Sequence, residues 1–143
     1  MSEGRLRLLA GALAALGLGI AIYLSVSWYS DTAPTCVGGG GGCETVQNSD
    51  YSELAGVPVA LIGAIGYGLI LLSLLVSGEP GRLSGALLGM VAVGFSLYLT
   101  YLELFVIDAI CQWCVASAVV SALLAATLAA RLLRTPPPSG SSP

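Results

Sequence analysis

The sequence contains no histidine and no lysine, and only 9% of its residues are charged. Without histidine the chain cannot build a histidine-based metal site, a Ser-His-Asp triad or a Cys-His nucleophile. Five arginines against eight acidic residues give a net charge of −3. Because no basic stripe is present either, the sequence argues against nucleic-acid binding.

Apolar residues are abundant instead: 56% of the 143 residues are hydrophobic, and the mean hydropathy is +0.90. Soluble domains carry about 25% charged residues, so this composition predicts an integral membrane protein. Four apolar stretches are long enough to cross a bilayer, and the first is longer than the ~7–15 apolar residues of a signal peptide. They cover about residues 8–28, 57–77, 83–105 and 111–133.

The predicted fold is therefore an all-α membrane domain, a bundle of four transmembrane helices over residues 1–134. The Pro/Ser-rich tail, residues 135–143, is predicted to be disordered. Residues 29–56 form the one long polar loop, in which Asp50 and Glu53 have capping-box spacing. We predict a short surface helix there, ended by Gly56, and a tight turn at the Gly-Glu-Pro-Gly sequence of residues 78–81.

The arginines lie at the two termini and beside the turn after the second span, whereas the opposite side carries acidic residues only. The positive-inside rule then places both termini in the cytoplasm of a multi-pass inner or plasma membrane protein. This topology predicts that all four cysteines lie near the extracytoplasmic face, which is the oxidising side.

The cysteines form two pairs in the sequence. Cys36 and Cys43 flank Val37 and five glycines, a segment of high backbone freedom. Cys111 and Cys114 form a C-x-x-C at the start of the last apolar run, where a helix N-terminus favours a reactive thiolate. Three pairings are open, and the alternative to a redox role is two structural disulfides.

A relay would use each feature of this arrangement. The loop pair would exchange with a soluble thiol protein, and a loop thiolate would then attack the helix pair. The sequence has no haem-ligand pattern and no Gly-rich dinucleotide motif, so a lipid-soluble quinone is the natural electron acceptor. A four-cysteine zinc site is formally open, although the oxidising compartment disfavours it.

The order of these motifs resembles the bacterial members of the vitamin K epoxide reductase family. The resemblance covers about residues 8–133, and it rests on order and spacing rather than on any single motif. The motifs are two loop cysteines, a serine, Gly-x-Pro, Gly-x-x-x-Tyr, Ser-x-Tyr-x-x-Tyr and C-x-x-C. They correspond here to Cys36, Cys43, Ser49, and residues 56–58, 63–67, 96–101 and 111–114.

The resemblance implies a thiol–quinone oxidoreductase that supports disulfide bond formation. Cys114 would face the quinone (menaquinone or ubiquinone), Cys111 would exchange with the loop, and Cys36 and Cys43 would shuttle electrons. The electron donor would be a separate thioredoxin-like protein of the DsbA type, since no fused thioredoxin-like domain is present in the sequence.

The resemblance also implies a quinone pocket that includes Ser49, Val59, Tyr67 and Tyr98. Each has a simpler interpretation: Ser49 as a local cap for backbone N–H groups, and the tyrosines as packing between helices. Glu103 and Asp108 are either acidic residues at the membrane interface or proton relays near the pocket.

One position departs from the family pattern. The vertebrate enzymes carry a tyrosine four residues after the last cysteine of C-x-x-C, where this chain has Ala118. The resemblance without this hydroxyl favours simple quinone reduction over epoxide reduction.

Two rival interpretations lead to different expectations. The DsbB-type quinone-linked oxidases also have four spans, but their C-x-x-C precedes the wider cysteine pair, the reverse of the order here. A non-enzymatic tetraspan scaffold with two structural disulfides predicts no redox phenotype for Cys114→Ser and no bound quinone.

Overall fold

The structure is a computed structural model that describes residues 3–30, 53–54, 56–76, 78–107 and 112–134. The predictions made above for the loop and relay positions outside these ranges, and for the tail, are therefore not addressed by it. Those positions are Cys36, Cys43, Ser49, Asp108, Cys111 and residues 135–143.

Four helices account for most of the described chain. They are α1 (Glu3–Tyr29), α2 (Val59–Leu75), α3 (Glu79–Tyr101), which continues as a π-helical segment (Leu102–Ile107), and α4 (Gln112–Arg134). Three of them, α1, α3 with its π-helical segment and α4, are long and apolar enough to cross a membrane. The apolar helix α2 has 17 residues, about 26 Å, at the short end of the spanning range. The predicted all-α membrane bundle is confirmed.

The helices form a ring in which α1 packs on α2 and α4, and α3 packs on the same two helices. Small residues on α1 allow close approach, so Leu74 of α2 lies against Gly11 and Ala21 faces Gly63. The buried core joins three helices and consists of Ala10, Ala14, Ala21, Tyr67, Ile70, Leu74, Val120, Leu124 and Leu128.

Three buried glycines spaced four residues apart set the position of α3. A Cβ atom on Gly89 would lie 3.1 Å from Leu128 Cδ1 and 3.2 Å from Ala125 Cα, and one on Gly85 would lie 3.1 Å from Ser73 Oγ. Such small-residue spacing lets helix backbones approach closely where no hydrophobic effect drives association. The glycines at 81, 85 and 89 therefore hold α3 against both α2 and α4.

The predicted turn at residues 78–81 is wrong in extent. α3 already begins at Glu79, with Gly78 as its N-cap at a φ of 84°. Pro80 lies in the first helical turn, where its missing N–H is not needed. The Gly-Glu-Pro-Gly sequence is therefore mostly a helix start rather than a loop.

The polar loop also differs from expectation in its described part. Residues Glu53–Leu54 (β1) and Val57–Pro58 (β2) pair as two short antiparallel strands, and Gly56 between them has a φ of 84°. The helical turn expected to continue through Glu53 does not do so. The strand pairing leads directly into α2, whose N-cap is the extended residue Pro58.

Candidate active site

A cavity of about 350 Å³ lies inside the helix ring. α2 and α3 provide most of its lining, and α1, α4 and the π-helical segment complete it. The lining is mostly aliphatic, with a small number of polar side chains. This combination of apolar walls and few polar groups is typical of sites for apolar ligands with defined polar atoms.

The cavity is open on one side of the bundle. Ile65 and Leu69 of α2 and Val91 of α3 all line it, and all three are also exposed on the outer surface, Val91 to 69%. α2 and α3 pack less closely on each other than the other neighbouring helix pairs do. The cavity therefore has a lateral mouth between α2 and α3, on the surface that the lipid tails contact.

A group of four hydroxyl side chains lies within the cavity lining, and we call it the hydroxyl cluster: Tyr67, Ser96, Ser117 and Ser121. Tyr67 Oη lies 2.7 Å from Ser121 Oγ and 2.9 Å from Ser117 Oγ, and it donates to the Ser117 carbonyl at 3.1 Å. Ser96 Oγ donates to Ser121 Oγ at 3.2 Å. The cluster joins α2, α3 and α4 at the cavity wall.

The Tyr67 ring is fixed by a glycine on α1. A Cβ atom at Gly17 would overlap this ring, with Tyr67 Cδ1 only 2.7 Å away. Tyr67 is buried, and its ring packs directly against the α1 backbone at Gly17. The absence of a side chain at Gly17 therefore positions the Tyr67 hydroxyl at the serines of α4.

Cys114 lines the same cavity as the hydroxyl cluster and is half-buried. It precedes Ser117 by three residues and Ser121 by seven, a spacing that places all three side chains on one face of α4. Next to it, the Trp113 ring packs edge-on against Tyr23 of α1 at 5.0 Å between centroids. This contact holds the start of α4 against α1.

The π-helical segment brings an acidic side chain to the cavity. Glu103 lines the cavity and is only 4% exposed, and Leu102 beside it is also buried. Single π-helical turns inside α-helices occur frequently at functional sites. The continuation of α3 is thus a distorted helical turn that brings the carboxyl group of Glu103 to the cavity wall.

The pocket residues predicted from sequence divide into three groups. Val59 and Tyr67 line the cavity. Tyr98 is 55% exposed and does not line it. Ser49 lies outside the described residues.

Sequence reasoning missed the roles of three serines, at positions 96, 117 and 121. Ser117 and Ser121 follow Cys114 at helical spacing, which is the signal that could have identified them. Ala118, where the vertebrate enzymes carry a tyrosine, does not line the cavity.

Together these features define a polytopic membrane protein with a cysteine and a hydroxyl cluster inside a lipid-accessible cavity. The sequence model of the Vitamin K epoxide reductase family matches residues 8–129. The chain belongs to this family. It is therefore a membrane protein of a thiol–disulfide oxidoreductase family that acts on quinones.

Proposed function

We propose that this protein is a thiol–quinone oxidoreductase that oxidises a thioredoxin-like partner and so supports disulfide bond formation. The observation that carries the proposal is the presence of Cys114 in the same apolar cavity as the hydroxyl cluster. A thiol, a set of hydrogen-bond donors and an opening toward lipid together suit the reduction of a membrane quinone by a dithiol.

The cavity suits a quinone in size and in chemistry. Its volume of about 350 Å³ lies within the usual range for small-ligand sites. A quinone ring is flat and apolar, with two carbonyl oxygens that accept hydrogen bonds. Tyr67, Ser117 and Ser121 supply hydroxyl donors, and the isoprenoid tail would leave through the lateral mouth between α2 and α3.

Electrons would pass through two dithiol–disulfide exchanges. The reduced partner transfers two electrons to the Cys36–Cys43 disulfide and is itself oxidised. A loop thiolate then attacks the Cys111–Cys114 disulfide through a transient crossed disulfide, which leaves the helix pair reduced.

The last step regenerates the helix disulfide. The Cys111/Cys114 dithiol gives up two electrons and two protons, one S–S bond forms, and the quinone becomes a quinol. We assign the reaction with the ring to Cys114, and its place in the cavity lining supports this assignment. Menaquinone and ubiquinone both fit this chemistry.

The partner would reach the protein from the extracytoplasmic side. The arginines lie at the two termini and beside Gly81, and the positive-inside rule assigns these regions to the cytoplasm. The C-x-x-C and the loop cysteines then face an oxidising compartment. A separate thioredoxin-like protein of the DsbA type is the expected donor.

An anaerobic assay tests the proposal. The full chain in detergent is mixed with a reduced thioredoxin-like donor and a short-chain quinone, and quinone absorbance is followed for the wild type, Cys114→Ala and Cys36→Ala. We expect quinone reduction that is lost in Cys114→Ala with any donor. Cys36→Ala should lose activity with the protein donor but keep it with a small dithiol.

Folded protein that carries both disulfides and reduces no quinone with any donor would contradict the proposal. That outcome would instead favour a non-enzymatic scaffold with two structural disulfides.

A further inference from the structure

We propose that Glu103 is the proton-exchanging residue of the quinone step: it takes the proton of the attacking thiol and returns it to a quinone oxygen. This inference rests on the proposed function and adds a catalytic residue to it. Among the described residues that line the cavity, Glu103 is the one with an acidic side chain.

The register of α3 and α4 places Glu103 and Cys114 at the same level of the cavity. The two helices are antiparallel, because Ser96 contacts Ser121 whereas Gly89, earlier in α3, contacts Leu128, later in α4. Glu103 follows Ser96 by seven residues, and Cys114 precedes Ser121 by seven. Each therefore lies about 10 Å along its helix from the serine pair, in the same direction.

This placement gives the cavity polar groups at two levels. One level holds the hydroxyl cluster, and the other holds the thiol of Cys114 and the carboxyl group of Glu103. Both residues line the cavity, so a ring bound between the two levels would be within reach of each. A quinone with one carbonyl at the hydroxyl cluster presents its other polar edge toward Cys114 and Glu103.

The chemistry of the step needs a group that first accepts and then donates a proton. A thiolate rather than a thiol attacks the ring, so the proton of the Cys114 thiol must leave before the attack. After two electrons reach the ring, its oxygens must be protonated. A carboxyl group can do both and ends the cycle unchanged, while the Cys111 thiol supplies the second proton as the S–S bond closes.

The surroundings of Glu103 favour proton exchange over a fixed surface charge. Its side chain is 4% exposed. Among the described residues that line the cavity, the titratable side chains are Tyr67 on α2, Glu103 on the π-helical segment and Cys114 on α4, and none of those described residues is basic. Ionisable residues inside membrane helices are costly, and they commonly belong to proton or ion pathways.

Two matched pairs of variants test the assignment, Glu103→Gln against the wild type and Glu103→Asn against Glu103→Asp. Within each pair the side chains have nearly the same size and differ in proton exchange, so either pair that folds gives an answer. The exposed Glu79 at the other end of α3 supplies the control variant Glu79→Gln. Each full-length protein is reduced with a small dithiol and then mixed with a short-chain quinone in a stopped-flow instrument.

We expect single-turnover quinone reduction to be about 100-fold slower in each amide variant, Glu103→Gln or Glu103→Asn, than in the carboxylate protein of the same pair. Within each pair, the two proteins should have similar KM values for quinone. The dithiol should also reduce both at similar rates when no quinone is present. Glu79→Gln should match the wild type.

Equal quinone rates within both pairs would overturn the assignment while leaving the proposed function intact. An amide variant with both a higher KM for quinone and slower reduction by the dithiol would indicate a structural role for Glu103. That result would also overturn the assignment. A wild type that reduces no quinone is a separate result, because it removes the proposed function itself.

Discussion

The hydroxyl group of Tyr67 has three acceptors within 3.1 Å, namely the Oγ atoms of Ser117 and Ser121 and the Ser117 carbonyl. A phenol has only one proton to donate, so the serine hydroxyls must donate in at least part of these contacts. Because hydroxyl groups rotate freely, the cluster can redirect one donor toward a ligand carbonyl without moving a helix.

Tyr67→Phe is expected to raise the KM for quinone by about three- to tenfold, because one hydrogen bond contributes about 0.5–1.5 kcal/mol. The ring itself stays in the slot beside Gly17, so the fold is retained. Tyr98→Phe serves as the control, since Tyr98 is exposed and does not line the cavity. Steady-state quinone kinetics of both variants check the prediction, and an equal KM in the two would contradict it.

At the residue level, sequence patterns predicted Cys114 and Tyr67 as site residues. They included Ser96 in a motif, but they gave no role to the hydroxyl groups of Ser96, Ser117 and Ser121. A C-x-x-C is visible because its two cysteines are rare and close in sequence. Ser96 and Ser121 are 25 residues apart in the sequence and come together only through the packing of α3 on α4. Which face of an apolar helix turns inward depends on that packing, and Tyr98, two residues after Ser96, points outward for the same reason.

At the level of helices, glycine positions decide how closely the elements approach. Gly17 on α1 and Gly89 on α3 both face neighbouring side chains, whereas Gly19 and Gly94 have no atom within 4 Å of an added Cβ. Gly19 is therefore a control position for Gly17 on α1, and Gly94 is one for Gly89 on α3.

Gly17→Ala is expected to lower the free energy of unfolding by about 1–3 kcal/mol, because the new methyl group overlaps the Tyr67 ring. It should also raise the quinone KM, since the ring carries a hydroxyl of the cluster. Gly19→Ala should be neutral or stabilise by up to about 1 kcal/mol through helix propensity. Thermal unfolding in detergent compares the two, and equal melting temperatures would show that Tyr67 has room to move.

Gly89→Ala tests the contact between α3 and α4. The new Cβ meets Ala125 Cα, a backbone atom that cannot rotate away, so we expect a loss of about 1–3 kcal/mol. Gly94→Ala, on the open side of the same helix, should cost nothing. Unfolding followed by circular dichroism in a fixed detergent measures the difference, and a Gly89→Ala variant as stable as Gly94→Ala would mean that the helices separate more easily than their packing indicates.

The helix boundaries show which local signals were misread. The Gly-Glu-Pro-Gly sequence has the composition of a turn, but proline is equally suited to a first helical turn, and only Gly78 stayed outside α3. The π-helical segment was not predicted, because its hydrogen-bond pattern has no signature in hydrophobic periodicity. These two features determine where α3 begins and which way Glu103 points.

At the scale of the whole molecule, composition alone was sufficient for the fold class. Four apolar runs in a chain with few charges leave little choice but a helical membrane bundle, and this prediction is confirmed. The family resemblance implied a pocket, but its full lining and its opening between α2 and α3 were not predictable from the sequence. Its lining depends on helix rotation and on the close approach that glycines allow elsewhere in the ring.

The lateral mouth beside Ile65, Leu69 and Val91 has a consequence for kinetics. A substrate that arrives through it is drawn from the bilayer, so its relevant concentration is its mole fraction among lipids. In proteoliposomes the turnover rate should fall when inert lipid is added at constant total quinone, and it should not change when the same vesicles are diluted with buffer at saturating donor. Under the proposed function, such surface dilution would make the turnover rate depend on the mole fraction of oxidised quinone in the membrane, independently of the volume of the aqueous compartment.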